Sequence, residues 1–269
     1  MRIGEYMIGK FESLPSRKSV KRSIKLGAVL LNGNTARTSS WVKKGDVIKL
    51  LDLYSKPRKI YQMSMDVLFE DEYLAVINKP GGIPVSGNSF RTVYNSLGHF
   101  LKIDHHQNFY PQPAHRLDSA TSGLLIIAKQ HQTRIQLGKL FESKSIFKKY
   151  KAIVHGHVGE SGIINVPIDG KFASTKFECL TTHLTQNELK FSHLLLHPLT
   201  GRTHQLRKHC LAMGHPILGD KIYQNDGWQL RRKGMLLCAT GLRFIHPESE
   251  EQLEFDIAPP AKFLRIMSK

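Results

Sequence analysis

"HRLDSATSGLLIIAK", residues 115–129, is the stretch on which the reading of this chain turns. Its second half, 124–128, is a short unbroken apolar run, the pattern of a strand buried on both faces. Ahead of it, Thr121, Ser122 and Gly123 suit a backbone that passes tightly against another group. His115, Arg116 and Asp118 crowd the loop that enters the strand, which holds a carboxylate close to the core. A carboxylate so placed must be paired, protonated or used. Capping a turn or bridging to a neighbouring Arg would be explanation enough, so Asp118 alone leaves a structural and a catalytic role both open.

Working outward, "QTRIQLGKLFESK" (132–144) puts Leu137, Leu140 and Phe141 on one helical face. "SIFKKYKAIVHGHV" (145–158) reads as a strand in which Tyr150 shares a side with Ala152 and Val154. A Tyr facing a core is commonly a packed aromatic whose hydroxyl finds one partner. In "FSHLLLHPLTGRTHQLRKHCLAMGHPILGD" (191–220), residues 191–196 are strand-like. Residues 203–213 are helix-like, with Leu206, Cys210 and Met213 on one stripe and Gly214 as the stop. Arg207 lies about 100° round from that stripe, at the edge of the buried face, from which it can reach inward to an acid. His204 and His209 are five apart, a poor spacing for two metal ligands on one helical face. The loop "NKPGGIPVSGN" (78–88) carries Lys79 and is rich in Gly and Pro, so it reads as an anion-binding loop or an ordinary turn. "GKFASTK" (170–176) lacks the order of a phosphate-binding loop, and no GxGxxG or GxSxG occurs.

The charge points to a polyanion. The 269 residues hold 39 Lys and Arg against 22 Asp and Glu, a net +17, and a field of that sign favours nucleic acid first and an anionic membrane second. No apolar run reaches the length of a membrane span, and "MRIGEYMIGK" is neither a signal peptide nor a lipidation signal. Cys179, Cys210 and Cys238 form no CxxC pair and read as reduced thiols of a cytoplasmic protein.

Charge is densest at the amino terminus, where residues 1–52 carry eleven basic against four acidic side chains, 11 − 4 = +7. "SRKSVKRSIKLG" (16–27) predicts a short helix, capped by Ser16 or Ser19, with Val20 and Ile24 on one face and Gly27 at its end. "AVLLNGN" (28–34) predicts a strand running into an Asn32-Gly33 hairpin turn, and "VKKGDVIKL" (42–50) another turn and strand. A small α+β module with a solvated basic face would account for all of this. The pattern of Ser16, Arg17, Ile24, Gly27, Val29, Asn32, Gly33, Gly45, Asp46 and Ile48 also resembles the small RNA-binding domain named after a small-subunit ribosomal protein. That resemblance implies that Arg17, Lys18, Lys21, Arg22 and Lys25 face RNA phosphates. The expected organisation is an RNA-binding domain over 1–52, a linker over 53–65, and a catalytic domain over 66–269.

Four blocks, "FEDEYLAVINKPGGIPV", "HRLDSATSGLLIIAK", "IFKKYKAIVHG" and "LTGRTHQLRKHCLAMGHPILGDKIY", with a weaker fifth, "LLCATGLRFIHPESEEQLEF", resemble the RluA family of RNA pseudouridine synthases and follow its order. What the resemblance implies is an α+β fold with a mixed, largely antiparallel sheet, flanking helices and an RNA-binding cleft. It implies isomerisation of uridine in RNA to its carbon-linked isomer with no metal or organic cofactor. Asp118 would be the catalytic carboxylate and Arg207 the residue that pairs with it and aims it. Tyr150 would stack on the uracil and is a candidate base. Arg116 would fill the space left by the flipped uridine, and Leu206 would wall the base pocket. Lys79 is expected among the RNA-binding residues and His115 as structural support. A lone acid suits isomerisation, whereas glycoside hydrolysis would want a second acid to activate water.

The chain departs from the family pattern at Ser119-Ala120, Cys238 and Gln224, none of them an expected site residue. The expected partner is ribosomal RNA of the large subunit, with transfer RNA second, and the expected state is a monomer with no obligatory protein partner. A non-catalytic RNA-binding or ribosome-assembly factor would explain the charge equally well, but not the joint presence of Asp118, Tyr150 and Arg207. A metal-dependent nuclease would need clustered ligands that the sequence does not offer.

Overall fold

The computed structural model describes all residues except 12, 52–58, 104–108, 185–189, 225–233 and 268–269. The chain forms two compact units, Met1–Lys59 and Ile60–Lys269. Most of the expected linker, 53–58, lies outside the described residues. Residues 60–65 belong to the second unit, where Met65 is buried and Tyr61 and Met63 pack against its core.

The first unit runs α1 (Ile3–Tyr6), α2 (Arg17–Lys25), β1 (Val29–Leu31), β2 (Asn34–Thr35) and β3 (Ile48–Leu50). Ser16 opens α2 with a reciprocal capping arrangement: its hydroxyl accepts the Ser19 amide at 3.2 Å, while Ser19 Oγ accepts the Ser16 amide at 3.0 Å. Val20 and Ile24 turn inward onto Ile3, Met7, Leu14 and Val29. Asn32 and Gly33 both take positive φ, 50° and 82°, which matches the backbone twist of the two-residue hairpin between β1 and β2. Asn32 then ties the hairpin to the next turn, accepting the Val47 amide at 2.8 Å and donating to Asp46 at 2.9 Å.

The second unit contains β4 (Asp66–Glu70), β5 (Leu74–Lys79), α3 (Val93–Phe100), β6 (Gln112–Pro113), β7 (Ser122–Ala128), α4 (His131–Glu142) and β8 (Phe147–His155). It continues through β9 (Ser161–Ile164), β10 (Thr175–Leu184), β11 (Lys190–Pro198), α5 (Gln205–Ala212), β12 (Leu237–Ile245), β13 (Gln252–Asp256) and α6 (Leu264–Met267). Among the described residues its strands form one ten-stranded sheet in the order β4-β5-β7-β12-β8-β11-β10-β9, with β6 against β7 and β13 against β12. Every described pairing in it is antiparallel except β7 with β12. The mixed, largely antiparallel sheet is therefore present. No helix among the described residues is long and apolar enough to cross a membrane.

Strand β7 is buried along its whole length. Leu125 and Ile127 pack with Val93 and Leu97 of α3, while Leu124, Ile126 and Ala128 pack with Leu137 of α4. Period-2 alternation thus feeds two apolar layers, and full burial of each Leu or Ile contributes roughly 1.5–3 kcal/mol. At its start the strand passes very close to the backbone of β12. Gly123 has φ 113°, and a Cβ placed there would lie 2.1 Å from the Ala239 carbonyl oxygen of β12. Only glycine lets the parallel pair close, and closure sets the loop carrying Asp118 beside the end of β12. Gly123→Ala should cost about 3 kcal/mol or more, read as a shift in the urea midpoint. A variant as stable as the parent would mean that β12 can step away from β7 freely.

Candidate active site

Asp118 stands in the loop entering β7, its side chain 17% exposed. The loop is braced from behind by the neighbouring turn. The Ser119 carbonyl accepts the Gly82 amide at 2.7 Å and the Lys79 ammonium at 3.2 Å, and the Thr121 amide closes onto the Asp118 carbonyl at 3.0 Å. Lys79 also donates to the carbonyls of Pro80 and Ile83, each at 2.8 Å. This corrects the expectation that Lys79 binds RNA: its side chain is fully buried and its three donors are spent on carbonyl oxygens. Burial lowers its pKa to about 8, with the Asp118 charge opposing that shift. Lys79 is a brace of the Asp118 loop.

Arg207 comes from the first turns of α5. That helix begins after His204, which holds a left-handed backbone at φ 55°. Gln205 anchors the turn, its Oε1 accepting from Thr200 Oγ1 at 2.7 Å and the Arg202 amide at 2.9 Å, while its Nε2 donates to the Ser174 carbonyl and Thr175 Oγ1. With the helix so fixed, Leu206 and Cys210 fill the core and Arg207 turns along its edge. Its guanidinium serves two acids. Nη1 donates to Asp118 at 3.1 Å, while Nε and Nη2 grip both oxygens of Asp220 at 2.6 and 2.8 Å. Burial opposes the Arg207 charge, but Asp220 and Asp118 outweigh it and raise its pKa.

Asp220 was not singled out from the sequence. Its side chain is wholly buried, and besides Arg207 it accepts the amides of Ile222 and Tyr223 at 2.9 and 3.1 Å. Burial would raise its pKa, yet these donors, Arg207 first, hold it below the ordinary carboxylate range. The turn ahead of it also requires glycine: Gly219 has φ 77°, and a Cβ there would meet the Gly234 carbonyl oxygen at 2.2 Å. The signal available in the sequence was an acid at the end of "PILGD", one glycine past a short apolar run.

A second arm runs from Asp220 back to Asp118. Tyr223 lies under the Arg207 guanidinium, 4.9 Å from its ring centre, and its hydroxyl hydrogen-bonds with His204 Nδ1 at 2.9 Å. His204 Nε2 is 3.7 Å from Asp118 Oδ1. Asp118, Arg207, Asp220, Tyr223 and His204 therefore form a closed ring of contacts that fixes the carboxylate from two sides. His209, by contrast, is buried under β10, bonded to Thr175 Oγ1 and the Val166 carbonyl.

Two cavities meet at this ring. The smaller, about 590 Å³, is bordered by Asp118, Tyr150, Leu206, Arg207 and Leu237; the larger, about 1100 Å³, shares Asp118, His204 and Arg207 with it. Arg116 is exposed and borders both. Tyr150 projects from β8 onto two apolar clusters, and burial, reinforced by the Asp118 charge, raises its phenol pKa. The His115 Nε2 accepts the Ile126 amide at 3.1 Å, and burial with the nearby Lys148 lowers its pKa to about 3. The structure thus brings Asp118, Arg207, Tyr150, Leu206 and Arg116 together. Arg17, Lys18, Lys21, Arg22 and Lys25 are all exposed along α2 of the first unit, where Arg17 pairs with Glu5 at 3.4 Å.

Residues 73–212 match the family model described as RNA pseudouridylate synthase. The dual-specificity RNA pseudouridine synthase RluA of Haemophilus influenzae is 36% identical over 221 residues, covering 76% of this chain and 95% of that protein. The ribosomal large subunit pseudouridine synthase C of Buchnera aphidicola is 32% identical over 290 residues, covering 96% of this chain and 90% of that protein. Among solved structures, human RNA Pseudouridylate Synthase Domain Containing 1 superposes with a TM-score of 0.63 at 26% identity, covering 74% of this chain and 85% of that one.

Proposed function

The chain belongs to the RNA pseudouridylate synthase family as a synthase of the RluA type, and on that premise we propose that Asp118 is the carboxylate on which its uridine isomerisation depends. The observation that supports this most strongly is the placement of Asp118 at the meeting of two cavities, held by an Arg207 that a second, fully buried acid keeps in position. In the reaction the bond from the sugar C1′ to uracil N1 breaks, the base turns, and C1′ joins C5. The C5 hydrogen leaves and N1 gains a proton, so no atom is added or lost. A single carboxylate beside C1′ serves either by attacking it or by assisting removal of a sugar proton. Arg207 orients it, and Leu206 and Leu237 wall off water from the turning base.

Tyr150 takes the uracil face. With its pKa raised by burial and the Asp118 charge, the phenol keeps its proton, so we assign it stacking and hydrogen-bond donation and not the role of base. Arg116, exposed at the junction of the cavities, is placed to enter the space that a flipped uridine vacates.

The preferred substrate is ribosomal RNA of the large subunit. The relative named for that subunit aligns over 96% of this chain, whereas the dual-specificity relative aligns over 76%, a share that the second unit alone could supply. The first unit, with five exposed cations along α2, is then an RNA-binding domain that selects the substrate. Replacing Lys18, Lys21 and Arg22 together by Glu should weaken RNA binding by at least about tenfold and lower the salt dependence of binding. Equal binding by this variant would remove the first unit from RNA recognition.

The substrate itself is found by mapping pseudouridine in total RNA from cells lacking the gene, with and without the gene restored. A large-subunit ribosomal site that disappears and returns supports the reading. A change confined to transfer RNA would replace it.

A further inference from the structure

The larger cavity holds a cation that neither the fold nor the ring around Asp118 accounts for. Lys262 borders it together with Arg116, Lys221, Gly82 and Ser86. Its position is built in: the next residue, Phe263, is fully buried among Leu218, Leu236 and Cys238, and the Phe263 amide closes a turn onto the Pro260 carbonyl at 2.9 Å. The ammonium is half-buried and donates to the Met235 carbonyl at 2.8 Å. An ammonium has three donors, and among the described residues no carboxylate lies within ion-pair distance of this one. The acids bordering the cavity are otherwise engaged or distant in role: Asp118 and Asp220 are held by Arg207, and Asp66 is exposed in β4. Of the other two lysines there, Lys79 is spent on carbonyls and Lys221 is exposed. Burial lowers the Lys262 pKa, opposed by the neighbouring Cys238.

The partner that would complete such a group is an anion entering with the substrate. If a uridine occupies the smaller cavity, its sugar lies at Asp118 and the strand continues past it, and the larger cavity is where the next stretch of backbone can go. We propose that Lys262 is a phosphate-binding residue for this reaction, holding the RNA backbone beside the target nucleotide in the larger cavity. The proposal rests on the reading that places the uridine at Asp118.

Lys262→Gln keeps a donor for the Met235 carbonyl and removes the charge, Lys262→Met removes both, and Lys262→Arg keeps charge and donor. Pseudouridine formation is measured on total RNA from cells lacking the gene, over a range of salt concentrations. For Lys262→Gln the expected result is a KM about five- to tenfold higher with kcat changing far less. The slope of log KM against log salt should shrink by about 0.7–0.9, the loss of one phosphate contact. Lys262→Arg should restore both. An unchanged salt slope, or a loss falling on kcat alone, overturns the proposal. So does a set of variants that all unfold without RNA, for then Lys262 is a structural tie to Met235. Asp118→Asn is run beside them: turnover by that variant would refute the Asp118 reading, a result distinct from any change in the Lys262 salt slope.

Discussion

Asp118→Asn should lower pseudouridine formation by at least about a thousandfold while leaving the fold and RNA binding nearly intact. The amide has the size of the carboxylate and keeps an oxygen for Arg207 Nη1, the contact that measures 3.1 Å in the parent. Arg207 does not lose its place, because Asp220 still grips it through two hydrogen bonds. No buried charge is stranded, so unfolding should shift by no more than about 1 kcal/mol. On the proposed reading, what disappears is the anion beside C1′, and Asp220, fully buried behind Arg207, cannot replace it. The measurement is release of hydrogen from uracil C5, read with tritium placed there in RNA from cells lacking the gene. Residual turnover within about tenfold of the parent would show that the chemistry does not need this carboxylate.

The chain displays some of this arrangement openly and hides the rest, for physical reasons. Helix α2 was legible because cap, apolar face and terminal glycine are local signals, and they agree with one another. Strand β7 was legible because burial on both faces writes an unbroken apolar run. Arg207 could be placed at the inner edge of its helix by helical geometry alone, and it does reach Asp118. The pairing order of the sheet is another matter. β7 lies between β5 and β12, and β12 is more than a hundred residues further along the chain; no local periodicity encodes such a partner. Only Gly123 hinted at it, as a residue asking for close approach without saying to what.

The misread lysine has the same cause. In "NKPGG" a lysine beside a Gly-rich turn looks like a phosphate binder, yet carbonyls from 80, 83 and 119 converge on it. Two of those belong to its own loop, and the third arrives from forty residues away. Asp220 was missed because a lone acid after a glycine has many uses. Its role exists only through Arg207, which α5 delivers from the opposite direction. Lys262 likewise carries meaning only once Phe263 has anchored it beside a cavity. In each case the residue type was visible and the convergence was not.

Arg207→Met should cost about 3–5 kcal/mol of stability near neutral pH, and the cost should depend on pH in a stated direction. In the parent, burial works to raise the Asp220 pKa, but Arg207 and two backbone amides hold it lowered. A carboxylate with a depressed folded pKa contributes stability that is present above its unfolded pKa and lost as pH falls through the folded value. Without Arg207 the burial effect prevails and the sign reverses: the buried acid favours its protonated form. Acidification then relieves the variant while it weakens the parent. The gap between them, from urea unfolding, should be widest near about pH 8 and should narrow clearly by about pH 5. A gap that stays constant would mean that Asp220 does not depend on Arg207 for its charge. Arg207→Lys separates charge from geometry, since a single ammonium cannot span Asp118 and both oxygens of Asp220 at once. It should recover most of the stability yet stay about a hundredfold or more below the parent in turnover, because Asp118 would be paired but no longer aimed.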